Sequence, residues 1–176
     1  MNLFGPLTRA VVLGGAIVLA GVIPALAGPA EIGALEKYLG TWNGKGQLSG
    51  SQTQPVSCKM ALSSGNGGKL NYTGRCSLGG AQLSVTGTIA YSDTNHRYEA
   101  VMNSGVGGFR GVAVGQKQGD KIVFDLHQRA DDDQGNDITI AASVVLSGGD
   151  SLICDFHAVF NDTGDKVDAK IPFKRA

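Results

Sequence analysis

Leu39-Gly40-Thr41-Trp42-Asn43-Gly44-Lys45-Gly46 holds the only tryptophan of a 176-residue chain. Beyond it, apolar and polar residues alternate in short runs separated by Gly, Asn and Asp. Strand side chains point to opposite faces in turn, so this period of two reads as β structure with one buried face. The octapeptide is the start of the first strand, and everything after it follows in β form.

Ten candidate strands cover about 41–49, 55–63, 69–77, 81–91, 97–104, 108–117, 121–129, 137–147, 151–160 and 166–174. Leu83, Val85, Ile89 and Tyr91 face one way, with Gln82, Ser84, Thr86 and Thr88 opposed. Ile122, Phe124 and Leu126 oppose Lys121, Asp125, His127 and Arg129. Val167, Ala169, Ile171 and Phe173 oppose Lys166, Asp168 and Lys170. The connections are tight, as at Ser92-Asp93-Thr94-Asn95 and Ser147-Gly148-Gly149-Asp150. The expected fold is all-β, an antiparallel up-and-down barrel of 8–10 strands with a short N-terminal helix. The same patterns allow a β-sandwich. Glycines within the candidate strands (Gly44, Gly46, Gly74, Gly87, Gly107, Gly108, Gly111 and Gly115) fit the bends and close approaches of a barrel.

Upstream of the octapeptide, Pro29 and the spacing of Ile32, Leu35 and Leu39 predict a helix over 29–39, stopped by Gly40. Residues 1–27 read as an export signal: Arg9 is the sole charge, an apolar run follows, and Ala25-Leu26-Ala27 fits a small-x-small cleavage site. The run is also long enough to serve as an uncleaved anchor. The expected mature unit is one domain over 28–176, periplasmic or secreted, with no stable membrane span after cleavage. Without Arg9 the chain carries one more acid than base, which leaves no basic field to attract nucleic acid.

Three cysteines in an exported chain imply one disulfide and one spare thiol. Ser64-Gly65-Asn66-Gly67-Gly68-Lys69 is a turn signal between two alternating runs. A hairpin centred on Gly67 sets Cys58 opposite Cys76, Met60 opposite Gly74 and Leu62 opposite Tyr72. The expected bridge is Cys58–Cys76, with Cys154 on an apolar face as a small hydrophobe.

A short helix followed by Gly-x-Trp on the first strand resembles the calycin group, which includes lipocalins and fatty-acid-binding proteins. The string 39–46 is similar to the opening of nitrobindin-type haem barrels and related bacterial lipocalin-like domains. The resemblance implies a barrel closed at one end by Trp42, with Lys174 or Arg175 packed on it. It also implies a small hydrophobic ligand, such as a lipid or fatty acid, held inside. The interior would then be lined by Leu62, Leu70, Tyr72, Leu83, Val85, Ile89, Phe124, Leu126, Ile140, Phe156 and Phe160. The candidate ligand contacts are Trp42, Leu62, Tyr72, Leu83, Tyr91, Phe124 and Phe156, with the 29–39 helix as a lid.

No cofactor is expected. A haem needs an inward axial donor, whereas His96 falls in a turn and His127 and His157 share faces with aspartates. His157 becomes the axial candidate only if the faces of its strand are reversed. Asp131-Asp132-Asp133-Gln134-Gly135-Asn136-Asp137 lacks the glutamate of a calcium loop and reads as a solvated turn. Gly105-Val106-Gly107-Gly108 has no following helix and reads as a bend, not a phosphate loop. No catalytic constellation stands out, so a non-enzymatic role is expected. The alternative to a ligand carrier is a protein–protein module, such as a periplasmic protease inhibitor or envelope-assembly factor, acting through loop 130–137 or 104–108.

Overall fold

The computed structural model describes residues 28–78, 80–105, 109–131 and 135–176. The export-signal segment, Gly107, Gly108 and parts of both candidate loops lie outside the described residues. One helix, α1 (Gly28–Glu36), precedes ten strands. They are β1 (Gly40–Ser49), β2 (Gln54–Ser64), β3 (Leu70–Leu78), β4 (Ala81–Ser92) and β5 (Arg97–Ser104), then β6 (Arg110–Gln118), β7 (Lys121–Asp131), β8 (Asp137–Ser147), β9 (Ser151–Phe160) and β10 (Lys166–Arg175). Each pairs antiparallel with its sequence neighbour, and β10 pairs with β1, so the sheet is a closed barrel rather than a sandwich. Closure leaves no strand edge unpaired.

The β2–β3 hairpin has the expected register, with Cys58 opposite Cys76, Met60 opposite Gly74 and Leu62 opposite Tyr72. The bridge Cys58–Cys76 is formed across the pair, with the Cα atoms 4.0 Å apart. The turn between the strands contains a short 3₁₀ segment, Asn66–Gly68, with Gly67 and Gly68 at positive φ. The inward faces carry the expected residues: every member of the predicted interior lies on the same side of its strand as Trp42 or its cross-strand partners.

The helix is shorter than the 29–39 expected from spacing. It ends at Glu36, and the chain turns through Lys37 and Tyr38, with Tyr38 and Leu39 amides donating to the Leu35 and Glu36 carbonyls. Side chains from elsewhere take the carbonyls that a longer helix would use. Trp42 Nε1 donates to the Tyr38 carbonyl at 2.9 Å, and Arg175 donates to the carbonyls of Lys37 and Leu39. Gly40 follows at φ +123°, a conformation that favours glycine.

Interior glycines make room for large neighbours. A Cβ on Gly87 would stand 1.9 Å from the Val101 carbonyl oxygen and 2.6 Å from Tyr72 Oη. The Tyr72 ring thus lies over a residue with no side chain, and its hydroxyl donates to the Val101 carbonyl at 3.1 Å. Gly115 similarly lies under the Phe124 ring.

Candidate functional site

The two ends of the barrel differ. Helix α1 and the segment after it lie across one end. Ile32 packs on the turn at Gly68, Lys37 on the turn at Gly149, and Glu31 accepts a hydrogen bond from the Tyr98 hydroxyl and stands 3.6 Å from Lys117 Nζ. Beneath them Leu35, Tyr38, Trp42, Leu62, Leu70, Tyr98, Phe124, Leu146, Leu152 and Phe173 are all buried, Leu35 and Trp42 completely, at 0% exposure. Of the two basic residues at the end of β10, it is Arg175 that packs on the tryptophan, its guanidinium carbon 4.7 Å from the ring centroid. It also donates to the Gly149 carbonyl at 2.8 Å. Lys174 pairs with Asn43 on the outward side.

Toward the other end the inward side chains lose their cover. Leu48, Leu83, Val85, Met102, Phe109, Ile138, Ile140, Phe156, Phe160 and Val167 are only partly buried, although those on the strands occupy interior positions of the same alternation, while Val56, Ala158 and Ala169 among them are buried. A pocket of about 130 Å³ opens there between Leu48, Val167, Gln54 and the β1–β2 turn. The inward faces are thus sealed at the helix end and, among the described residues, less fully covered at the other.

The candidate contacts divide along this axis. Trp42, Leu62 and Phe124 are sealed in the closed end against protein neighbours. Tyr91 is there too, edge-on to Tyr98 at 5.1 Å between centroids. Tyr72 lies at mid-height, its ionisation pushed up to about 12 by burial. Leu83 and Phe156 belong to the open half. The helix covers the sealed end and so does not sit over the mouth as a lid. Cys154 is a free thiol on the inward face of β9, and burial raises its pKa to about 11.

Sequence reading missed Gln128. The inward series Ile122, Phe124, Leu126 extends by one step to Gln128, opposite Ile140 on β8, and the period of two would have found it. Its Nε2 donates to the Arg110 carbonyl at 2.9 Å. Met102 and Phe109 were missed because β5 and the start of β6 show weaker alternation.

A haem, implied by resemblance to the nitrobindin-type opening, finds no inward histidine here. His96 lies in the β4–β5 turn at φ +48°. His127 and His157 flank Ala141 on the outer wall, and His157 Nδ1 is 2.5 Å from Asp168 Oδ1. With Asp125, Ser143 and Asp155 they border an external concavity of about 290 Å³. Among the described residues no three His, Cys, Asp or Glu side chains stand where they could hold a metal ion. In the 131–137 turn, Asp137 pairs with Arg129 across the hairpin, Arg129 Nε to Asp137 Oδ1 at 2.7 Å.

No known protein family matches this chain, and no curated protein is similar to it in sequence. Solved structures do match. Rv2717c from M. tuberculosis superposes with a TM-score of 0.65 at 17% identity, over 82% of this chain and 96% of its own. The S-type phycobiliprotein lyase CPES from Guillardia theta superposes with a TM-score of 0.54 at 12% identity, over 85% of this chain and 93% of its own. Together with the closed ten-strand ring, these likenesses show a shared fold, a closed antiparallel β-barrel.

Proposed function

We propose that this protein is a non-enzymatic binder that holds one small apolar or amphipathic molecule in the open half of its barrel. The incomplete cover of inward faces away from the helix carries the reading: apolar side chains such as Leu83, Phe156 and Phe160 face the interior yet are only partly buried. Such a surface is stabilised by whatever removes it from water, at about 25 cal/mol per Å² before immobilisation costs. Work in an oxidising compartment is supported by the Cys58–Cys76 bridge. No helix among the described residues is long and apolar enough to cross a membrane.

Native mass spectrometry of protein recovered gently from cells tests the proposal. The expected result is an added mass that disappears on denaturation and can be restored with mixed neutral lipids. A bare mass that persists after such incubation would overturn it. That result would favour a second reading, a protein–protein module. Its support is the outward pair Val101 and Val112, adjacent across β5 and β6 and 42% and 55% exposed.

A further inference from the structure

We infer, resting on the binding role proposed above, that the molecule in the open half is uncharged where it is buried and donates a hydrogen bond to Gln128. This describes a long-chain alcohol or similar neutral amphiphile rather than a fatty-acid carboxylate.

The first argument is charge. Two basic residues occupy inward positions of the strand alternation, Lys117 and Arg175. Both sit at the helix-covered end and are engaged, Lys117 with Glu31 and Arg175 with three backbone carbonyls. In the open half the polar inward residues among those described are Gln54, Ser104 and Gln128. A carboxylate drawn into that space finds no cation, and an unpaired buried charge is strongly disfavoured.

The second argument is the orientation of one amide. The Arg110 carbonyl can only accept a hydrogen bond, so the Gln128 atom at 2.9 Å from it is the nitrogen. The oxygen is thereby turned the other way. It lies 3.1 Å from where a Cβ on Gly111 would stand, a point equally close to Leu126 and Phe109. Gly111 has no side chain, so this inward space belongs to the amide. No hydrogen bond among the described residues ends on Oε1. The group offered to a ligand is therefore an acceptor ringed by apolar atoms, with one amide hydrogen beside it. A hydroxyl satisfies both, donating to Oε1 and accepting from Nε2. A carboxylate could use only the amide hydrogen, and would bring its charge against Oε1.

The test uses the full chain and the neutral dye Nile red, displaced by three competitors: 1-decanol, 1-methoxydecane, which keeps the decyl chain and the oxygen but has no donor, and decanoate at pH 8. Decanol is expected to displace the dye at about tenfold lower concentration than either competitor, the worth of one hydrogen bond. In Gln128→Leu the gap between decanol and methoxydecane closes, while Nile red still binds. Gln128→Met serves the same purpose should the leucine variant fold poorly, and the comparison of competitors in the unaltered protein needs no variant. Equal potency of decanol and methoxydecane, decanoate as potent as decanol, or an alcohol preference that survives loss of Gln128, would overturn the inference and leave the binding role standing. Failure of Nile red and all three competitors to bind would overturn both.

Discussion

At Trp42 an indole with no exposed surface donates to the Tyr38 carbonyl while the Arg175 guanidinium lies over its ring. Removing the ring leaves a cavity and strands that carbonyl, so Trp42→Ala should cost about 3–5 kcal/mol. A loss of stability below about 1 kcal/mol in urea denaturation would contradict the role of closing this end. Tyr72 makes a prediction in pH. Burial raises its folded-state pKa to about 12, above the ordinary phenol value of 10.0. The folded state therefore holds the phenolic proton more tightly than the unfolded one. This contribution is complete below about pH 10 and is lost as pH rises toward about 12. Stability measured over that window should fall, and Tyr72→Phe should flatten the fall. Cys154, with its thiol pushed up to about 11, should resist alkylation at pH 8 until the protein is unfolded.

Among the elements, the β2–β3 hairpin was fully legible: one turn signal and two alternating runs fix its register, and the register fixes the bridge. Reduction of Cys58–Cys76, which closes a loop of 18 residues, should lower stability by about 2–4 kcal/mol. A reductant-insensitive melting curve would contradict this. The helix end was not legible, because the groups that stop it are Trp42 and the distant Arg175, and local spacing carries no trace of either. Gly87 shows the same divide. Its place inside a strand could be read, but the reason for it, the Val101 carbonyl beneath an absent Cβ, is set by the neighbouring strand. Gly87→Ala should therefore destabilise strongly, and adding Tyr72→Ala should not rescue it, since the backbone contact remains. Recovery in the double variant, read by thermal melting, would show that the ring was the obstacle instead.

For the whole molecule, strand count and inward faces were legible because the alternation of a two-faced sheet is written into every strand. The position of the mouth was not. The residues proposed for the interior were all inward, but which of them are sealed depends on the helix crossing one end, and no local pattern states that. The closure of the ring has a further consequence, in the order of synthesis. Arg175 meets carbonyls 136 and 138 positions earlier, and β1 keeps one side unpaired until β10 exists. Contacts so distant form late, after the loop-closure entropy of nearly the whole domain has been overcome. A chain ended at Phe160 should thus remain open and be digested quickly by protease, although eight of the nine hairpin pairings are already encoded in it. A nascent chain short of its tenth strand is in the same condition. For as long as that strand is missing, the sheet keeps two open edges, on β1 and on β9, where another chain could pair.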